Sequence, residues 1–113
     1  MVLATNKFKM KDATKQKLFQ AGFRFHSFNK DSKNNIYVYT FPIHKYLKST
    51  MVECEIITEC CTGDTVLNFY DKVAKSIYRP FYGINTQQYS KKFLNSMDRK
   101  VKRKLKGLGI EWS

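Results

Sequence analysis

Alternation of apolar and polar residues is the clearest pattern in the chain. In FRFHSFN, residues 23–29, Phe23, Phe25 and Ser27 fall on one side and Arg24, His26 and Phe28 on the other. A period of two predicts a strand with one apolar face. KDSKNN follows, and Asp, Ser and Asn clusters are turn material. IYVYTF, residues 36–41, is then a second strand, rich in aromatic and β-branched residues. The two strands and their polar turn read as an antiparallel hairpin. Ile36, Val38 and Thr40 share one face and Tyr37, Tyr39 and Phe41 the other, which predicts a central strand. Pro42 should end it, since proline cannot donate to a ladder. PIHKYLKS then reads as a connection with room for one helical turn. TMVECEIITECC is a third strand, with Val52, Cys54, Ile56 and Thr58 on one face and Glu53, Glu55, Ile57 and Glu59 on the other.

Other segments carry helical spacing. KMKDATKQKLFQAG reads as a short helix capped by Asp12, with Leu18 and Phe19 as its apolar face and Gly22 as its left-handed stop. In TVLNFYDKVAKSIY, Val66, Tyr70, Val73 and Ile77 recur at steps of four, three and four. That stripe predicts a helix capped by Asp64 or Thr65, although its first half has strand composition. Pro80 and Gly83 mark a loop. A longer helix is expected from about Gln87 to Lys106, capped by Asn85 or Thr86, with Tyr89, Phe93, Leu94, Met97, Val101 and Leu105 inward. MVLATNKF suggests a short edge strand, and Ile110 and Trp112 should fold back onto the core.

The sum is an α+β fold: a mainly antiparallel sheet of three to four strands with two to three helices packed on one face. At 113 residues, with no repeat or long linker, one domain over residues 1–113 is expected. Hydrophobic residues make up 42% and aromatic residues 15%, enough for a core.

Charge changes the picture. Lys and Arg number 21 against 9 Asp and Glu, a formal +12, and the pI is near 9.7. A basic excess of this size on a small domain attracts polyanions, nucleic acid first among them. The excess is local. KKFLNSMDRKVKRKLKG, residues 91–107, holds eight basic residues and one acid, Asp98, and so carries +7. Cations complement a helix C-terminus, but that accounts for only the last turn. A solvated helix face would be stabilised further by Glu–Lys pairs, and this run has no Glu. Lys91, Lys92, Arg99, Lys100, Lys102, Arg103, Lys104 and Lys106 are therefore the candidate phosphate contacts.

Aromatic strands beside cations can also stack bases. Phe28, Tyr37 and Tyr39 are the candidate stacking residues, against the simpler expectation that these rings fill the core. The remaining chemistry is sparse. Cys54, Cys60 and Cys61 fit reduced thiols better than a disulfide framework or a zinc site. Glu53, Glu55 and Glu59 could in principle hold Mg²⁺, and a Cys–His pair with His26 or His44 could be nucleophilic; a solvated acidic face and isolated histidines are the commoner outcomes. GxGxxG, HExxH, GxSxG and Walker A patterns are absent. No enzyme activity, metal or cofactor is expected. Neither a signal peptide nor an apolar run of membrane-spanning length is present, so a cytoplasmic location is expected.

The opening VLATNKFKMKDATKQKLFQAGFRFHSFNKD, the strand NIYVYTF and the later FYGINTQQYSKKFLN resemble small phage and prophage proteins of unknown function. Those share a short helix ending in Gly-Phe, a strand hairpin, and a helix after an aromatic loop. The resemblance implies a mobile-element context, in a host cytoplasm or a virion, and transfers no functional residue. The resulting expectation is a non-enzymatic accessory protein that binds DNA or RNA with weak sequence specificity through its basic C-terminal helix. The alternative is a protein-interaction module, either a virion or assembly component or an inhibitor of a host enzyme, whose partner has an acidic surface.

Overall fold

The computed structural model describes residues 6–84 and 86–112. Its elements run β1 (Phe8–Met10), α1 (Lys15–Ala21), β2 (Arg24–Asn29), β3 (Asn34–Tyr46), β4 (Thr50–Glu59), β5 (Asp64–Asp71), β6 (Ser76–Ile77), two 3₁₀ turns (Arg79–Tyr82 and Thr86–Gln88), α2 (Lys91–Gly107) and β7 (Ile110–Trp112). The sheet order is β2-β3-β4-β5-β1-β7, with β6 added to β5. Every pairing is antiparallel. The α+β class holds, but among the described residues the sheet has seven strands, more than the three to four expected, and it curls into a half-barrel around α2.

The β4 alternation was legible and correct. Val52, Cys54, Ile56 and Thr58 are buried on the concave face, and the glutamates face outward. The hairpin of β2 and β3 also forms as expected, with a bulge between Phe25 and Ser27.

Four expectations are corrected. The segment expected to be a helix over residues 65–78 is β5, a turn and β6. Thr65, Leu67, Phe69 and Asp71 point inward, while the supposed stripe of Val66, Tyr70, Val73 and Ile77 is exposed. Asp71 breaks any helix there, because its carboxylate accepts from the amides of Met51 (3.1 Å), Val73 (3.0 Å) and Ala74 (3.3 Å) and so builds the turn. Second, Pro42 does not end its strand. β3 continues to Tyr46, with a bulge between Pro42 and His44. Beyond Val38 that side of β3 has no β2 partner, so the missing N–H costs no ladder bond there. PIHKYLKS is thus mostly strand.

The helix caps are the third correction. Thr14 rather than Asp12 caps α1, accepting from the Lys17 amide at 3.2 Å, and Gly22 closes it at φ 103° as expected. Ser90 caps α2, accepting from Phe93 at 3.1 Å, so this helix starts four residues later than Gln87. Asn85, one of the expected caps, lies outside the described residues. Finally, the opening strand is not an edge. β1 lies between β5 and β7, while residues 1–5 of the expected strand lie outside the described residues. Gly63 permits this insertion: its φ is 79°, its carbonyl accepts from Met10 at 2.9 Å, and a Cβ would collide with the Met10 carbonyl. Lys9 and Asp64 pair across the same junction at 2.8 Å, and this hydrogen bond holds the exposed Asp64 carboxyl below its ordinary pKa. The C-terminal residues fold back as expected. Ile110 is buried and the Trp112 ring lies 4.7 Å from that of Phe8.

The core fills the concave side. From α2 come Leu94, Met97, Val101 and Leu105. An aromatic chain links sheet to helix: Phe69 stacks on Phe81 at 3.9 Å, then Tyr78, Tyr89, Phe93 and His44 follow with centroids 4.9–6.2 Å apart. Two buried hydroxyls, those of Thr58 and Thr65, bond each other at 2.9 Å. Burial pushes up the pKa of the Cys54 thiol and, with help from neighbouring Cys61, that of Cys60.

Two measurements check this arrangement. Leu67→Ala should lower the unfolding free energy by about 2–5 kcal/mol, whereas Val66→Thr on the opposite face should change it by about 0.5 kcal/mol at most. A helix with Val66, Tyr70, Val73 and Ile77 inward would make Val66 the costlier position. With a thiol reagent, the native protein should react fast only at Cys61, which is exposed, and Cys54 and Cys60 should react after denaturation.

Candidate nucleic-acid interface

The apolar stripe of α2 is taken up by the sheet, and this fixes where its cations can go. Lys92, Arg99, Arg103 and Lys106, separated by seven, four and three residues, form a ridge opposite the stripe. All four are exposed, and among the described residues none has a carboxylate within ion-pair distance. Lys91 is exposed at the start of the helix.

The other three candidates are engaged. Lys102 pairs with Asp98 one turn earlier at 2.8 Å. Lys100 donates to the Ile43 carbonyl at 3.2 Å, across the β3 bulge. Lys104 sits over the rings of Tyr39 (4.9 Å) and Phe41 (5.8 Å), a cation–π arrangement. The eight residues therefore divide into five that face solvent, two that lean onto β3, and one that is paired.

Between α2 and β3 runs a groove of about 400 Å³, lined by Phe41, Pro42, Lys100, Arg103, Lys104 and Leu108 together with Gly107. Three cations border it and no carboxylate does. A phosphate here would meet ammonium and guanidinium groups on one wall and an aromatic edge on the other.

Apart from Asp98 on α2 and Glu111 beside Lys106, the acidic residues of interest lie elsewhere. Glu53, Glu55 and Glu59 project from the convex face of β4, on the far side of the sheet from α2. Each is held by a neighbour: Glu53 by Lys72 at 3.6 Å, Glu55 by the Asn68 amide at 3.3 Å, and Glu59 by Ser32 and Thr62. Among the described residues no group of three His, Cys, Asp or Glu side chains converges as metal ligands would. His26 bonds the Ser27 hydroxyl at 3.0 Å and His44 packs against Phe93.

Of the candidate stacking residues, Tyr37 is the most buried. It is 4% exposed and belongs to the core, so it offers no free ring face. Tyr39 is half-buried between Phe23 and Phe41, with Lys104 above it. Only Phe28, 53% exposed, presents its ring to solvent.

Two better placed rings were missed. Phe19 is 67% exposed and Phe25 is 60% exposed. Together with Lys15, Gln16, Arg24 and Tyr37 they line a cleft of about 540 Å³ between α1 and the edge strand β2. Arg24 lies 5.7 Å from the centre of the Phe19 ring. Helix geometry could have flagged Phe19: in a seven-residue helix, adjacent Leu18 and Phe19 point about 100° apart and cannot both be central to one buried face. Phe25 shared its alternation with buried Phe23, and nothing local marks β2 as the sheet edge.

Among the described residues, no helix is long and apolar enough to cross a membrane. Comparison with protein-family models, with curated proteins and with solved structures gives no match to this chain.

Proposed function

We propose that this protein binds nucleic acid through the outer ridge of α2 and the groove beside it, as a non-enzymatic accessory protein of the mobile-element kind that its sequence resembles. The observation that supports this reading is the segregation of charge across the sheet. Among the described residues the ridge cations have no carboxylate at ion-pair distance, while the three β4 glutamates lie on the opposite, convex face. A merely soluble protein intersperses its charges; a polyanion binder collects one sign on one surface. Contacts of this sort go to phosphates, so they position the protein without reading sequence.

The free edge of β2 favours a second reading. Among the described residues this strand pairs only with β3, so its outer edge could accept a strand from a partner protein. Nuclease treatment before affinity purification separates the two: a partner retained after nuclease supports the protein-interaction reading.

For nucleic acid, affinity should fall steeply with salt. Neutralising about five phosphates gives a log–log slope of roughly −4 to −5 on duplex DNA. Replacing Arg99 and Arg103 together by Gln should make that slope shallower by about 2. Fluorescence polarisation across a salt series measures both, and an affinity indifferent to salt would sink the reading.

A further inference from the structure

Five clefts among the described residues differ in one chemical respect. Three of them carry a carboxylate: Asp71 in one, Glu53 and Glu55 in another, Glu111 in the third. The remaining two carry none, and between them they hold Lys15, Arg24, Lys100, Arg103 and Lys104. Both of those also contain aromatic rings, Phe41 in the α2 groove and Phe19 and Phe25 in the α1 cleft.

β3 contributes a residue to each of these two clefts. Its inward row of Tyr37, Tyr39 and Phe41 touches both, Tyr37 lining the α1 cleft and Phe41 the α2 groove. Tyr39 lies between, in ring contact with Phe41 at 6.2 Å and beneath Lys104. Four residues of strand separate Tyr37 from Phe41, a span of about 13 Å. A single chain could thus lie across both clefts on the helix-bearing side of the sheet.

Ligand chemistry follows from the surfaces. Phe19 and Phe25 are exposed rings on α1 and β2, and Arg24 beside Phe19 adds a guanidinium plane. Every unpaired base has a π-face that stacks on such a ring, whereas a duplex hides those faces inside its own stack. An acidic protein segment would satisfy the cations and bury apolar side chains on the rings without needing a π-face, and the leucine variants below separate that case from base stacking. We propose that the Phe19–Arg24–Phe25 cleft is a base-stacking subsite for single-stranded nucleic acid, whose backbone continues to Lys100, Arg103 and Lys104. This rests on the reading of α2 as a phosphate-binding helix and narrows it to unpaired strands.

The test compares three labelled probes of equal length at one salt concentration: an oligothymidylate, the same backbone with abasic sites, and a duplex. Wild-type protein should bind the oligothymidylate more tightly than the abasic strand. Phe19→Ala and Phe25→Ala should each weaken oligothymidylate binding by roughly 5- to 150-fold, leaving abasic-strand affinity and the salt slope unchanged. Phe19→Leu and Phe25→Leu keep apolar bulk but lose the π-face, so they should fall with the alanine variants, and Phe25→Tyr should retain binding. Because both side chains are mostly exposed, thermal melting should confirm intact folding in every variant. Equal wild-type affinity for the thymidylate and abasic strands would overturn the subsite while leaving the phosphate-binding helix standing. Absence of binding to all three probes at low salt would remove both.

Discussion

Seating the α2 stripe in the concave face of the sheet is the contact on which the rest of the molecule depends. Leu94, Met97, Val101 and Leu105 meet the inward residues of β3, β4 and β5 there. A helix of this composition, with eight cations and one acid in seventeen residues, has little intrinsic reason to persist alone, because like charges one turn apart repel. Burial of the stripe supplies the stabilisation that offsets that repulsion. The same burial turns the ridge outward and leans Lys100 and Lys104 onto β3.

For the sheet to receive the helix it has to curl. Bulges in β2 and β3 each insert one extra residue and raise the local twist. The far side is extended by β1 and β7, two three-residue strands whose residues come from near the two ends of the described chain. Gly63 makes that extension possible, since only a residue without a side chain lets the β4–β5 turn approach the Met10 backbone. The sheet then places the β4 glutamates on its convex face and the α2 cations on the other side.

Exposed aromatic residues mark the places where this architecture leaves its own apolar surface uncovered. α1 is only seven residues long and buries Leu18 alone. Phe19 and Phe25 are left in the solvent beside it, at the edge of the sheet rather than under its helices. That these rings share a cleft with Lys15 and Arg24, and with no acid, distinguishes them from apolar residues scattered singly over a surface.

The sequence by itself determined those features that arise from local periodicity and composition. The β2–β3 hairpin, the β4 alternation, the α2 stripe, the Gly22 stop and the concentration of charge in residues 91–107 could all be read from neighbouring residues, because strand and helix periods act over a few positions. Tertiary structure alone decided the remainder. Val66, Tyr70, Val73 and Ile77 matched a helix by spacing, but the Asp71 carboxylate and the inward pairing of Leu67 and Phe69 with β4 made strands of that segment. Tyr37 and Phe25 looked alike in sequence, yet one is core and the other surface, since exposure depends on which strand lies at the edge and where α1 ends. Which of the eight cations of α2 remain free was equally undetermined, because Ile43, Tyr39 and Phe41, the groups that engage Lys100 and Lys104, come from a strand some sixty residues away along the chain. Contacts of that separation follow from the curl of the whole sheet, which no short window of sequence encodes.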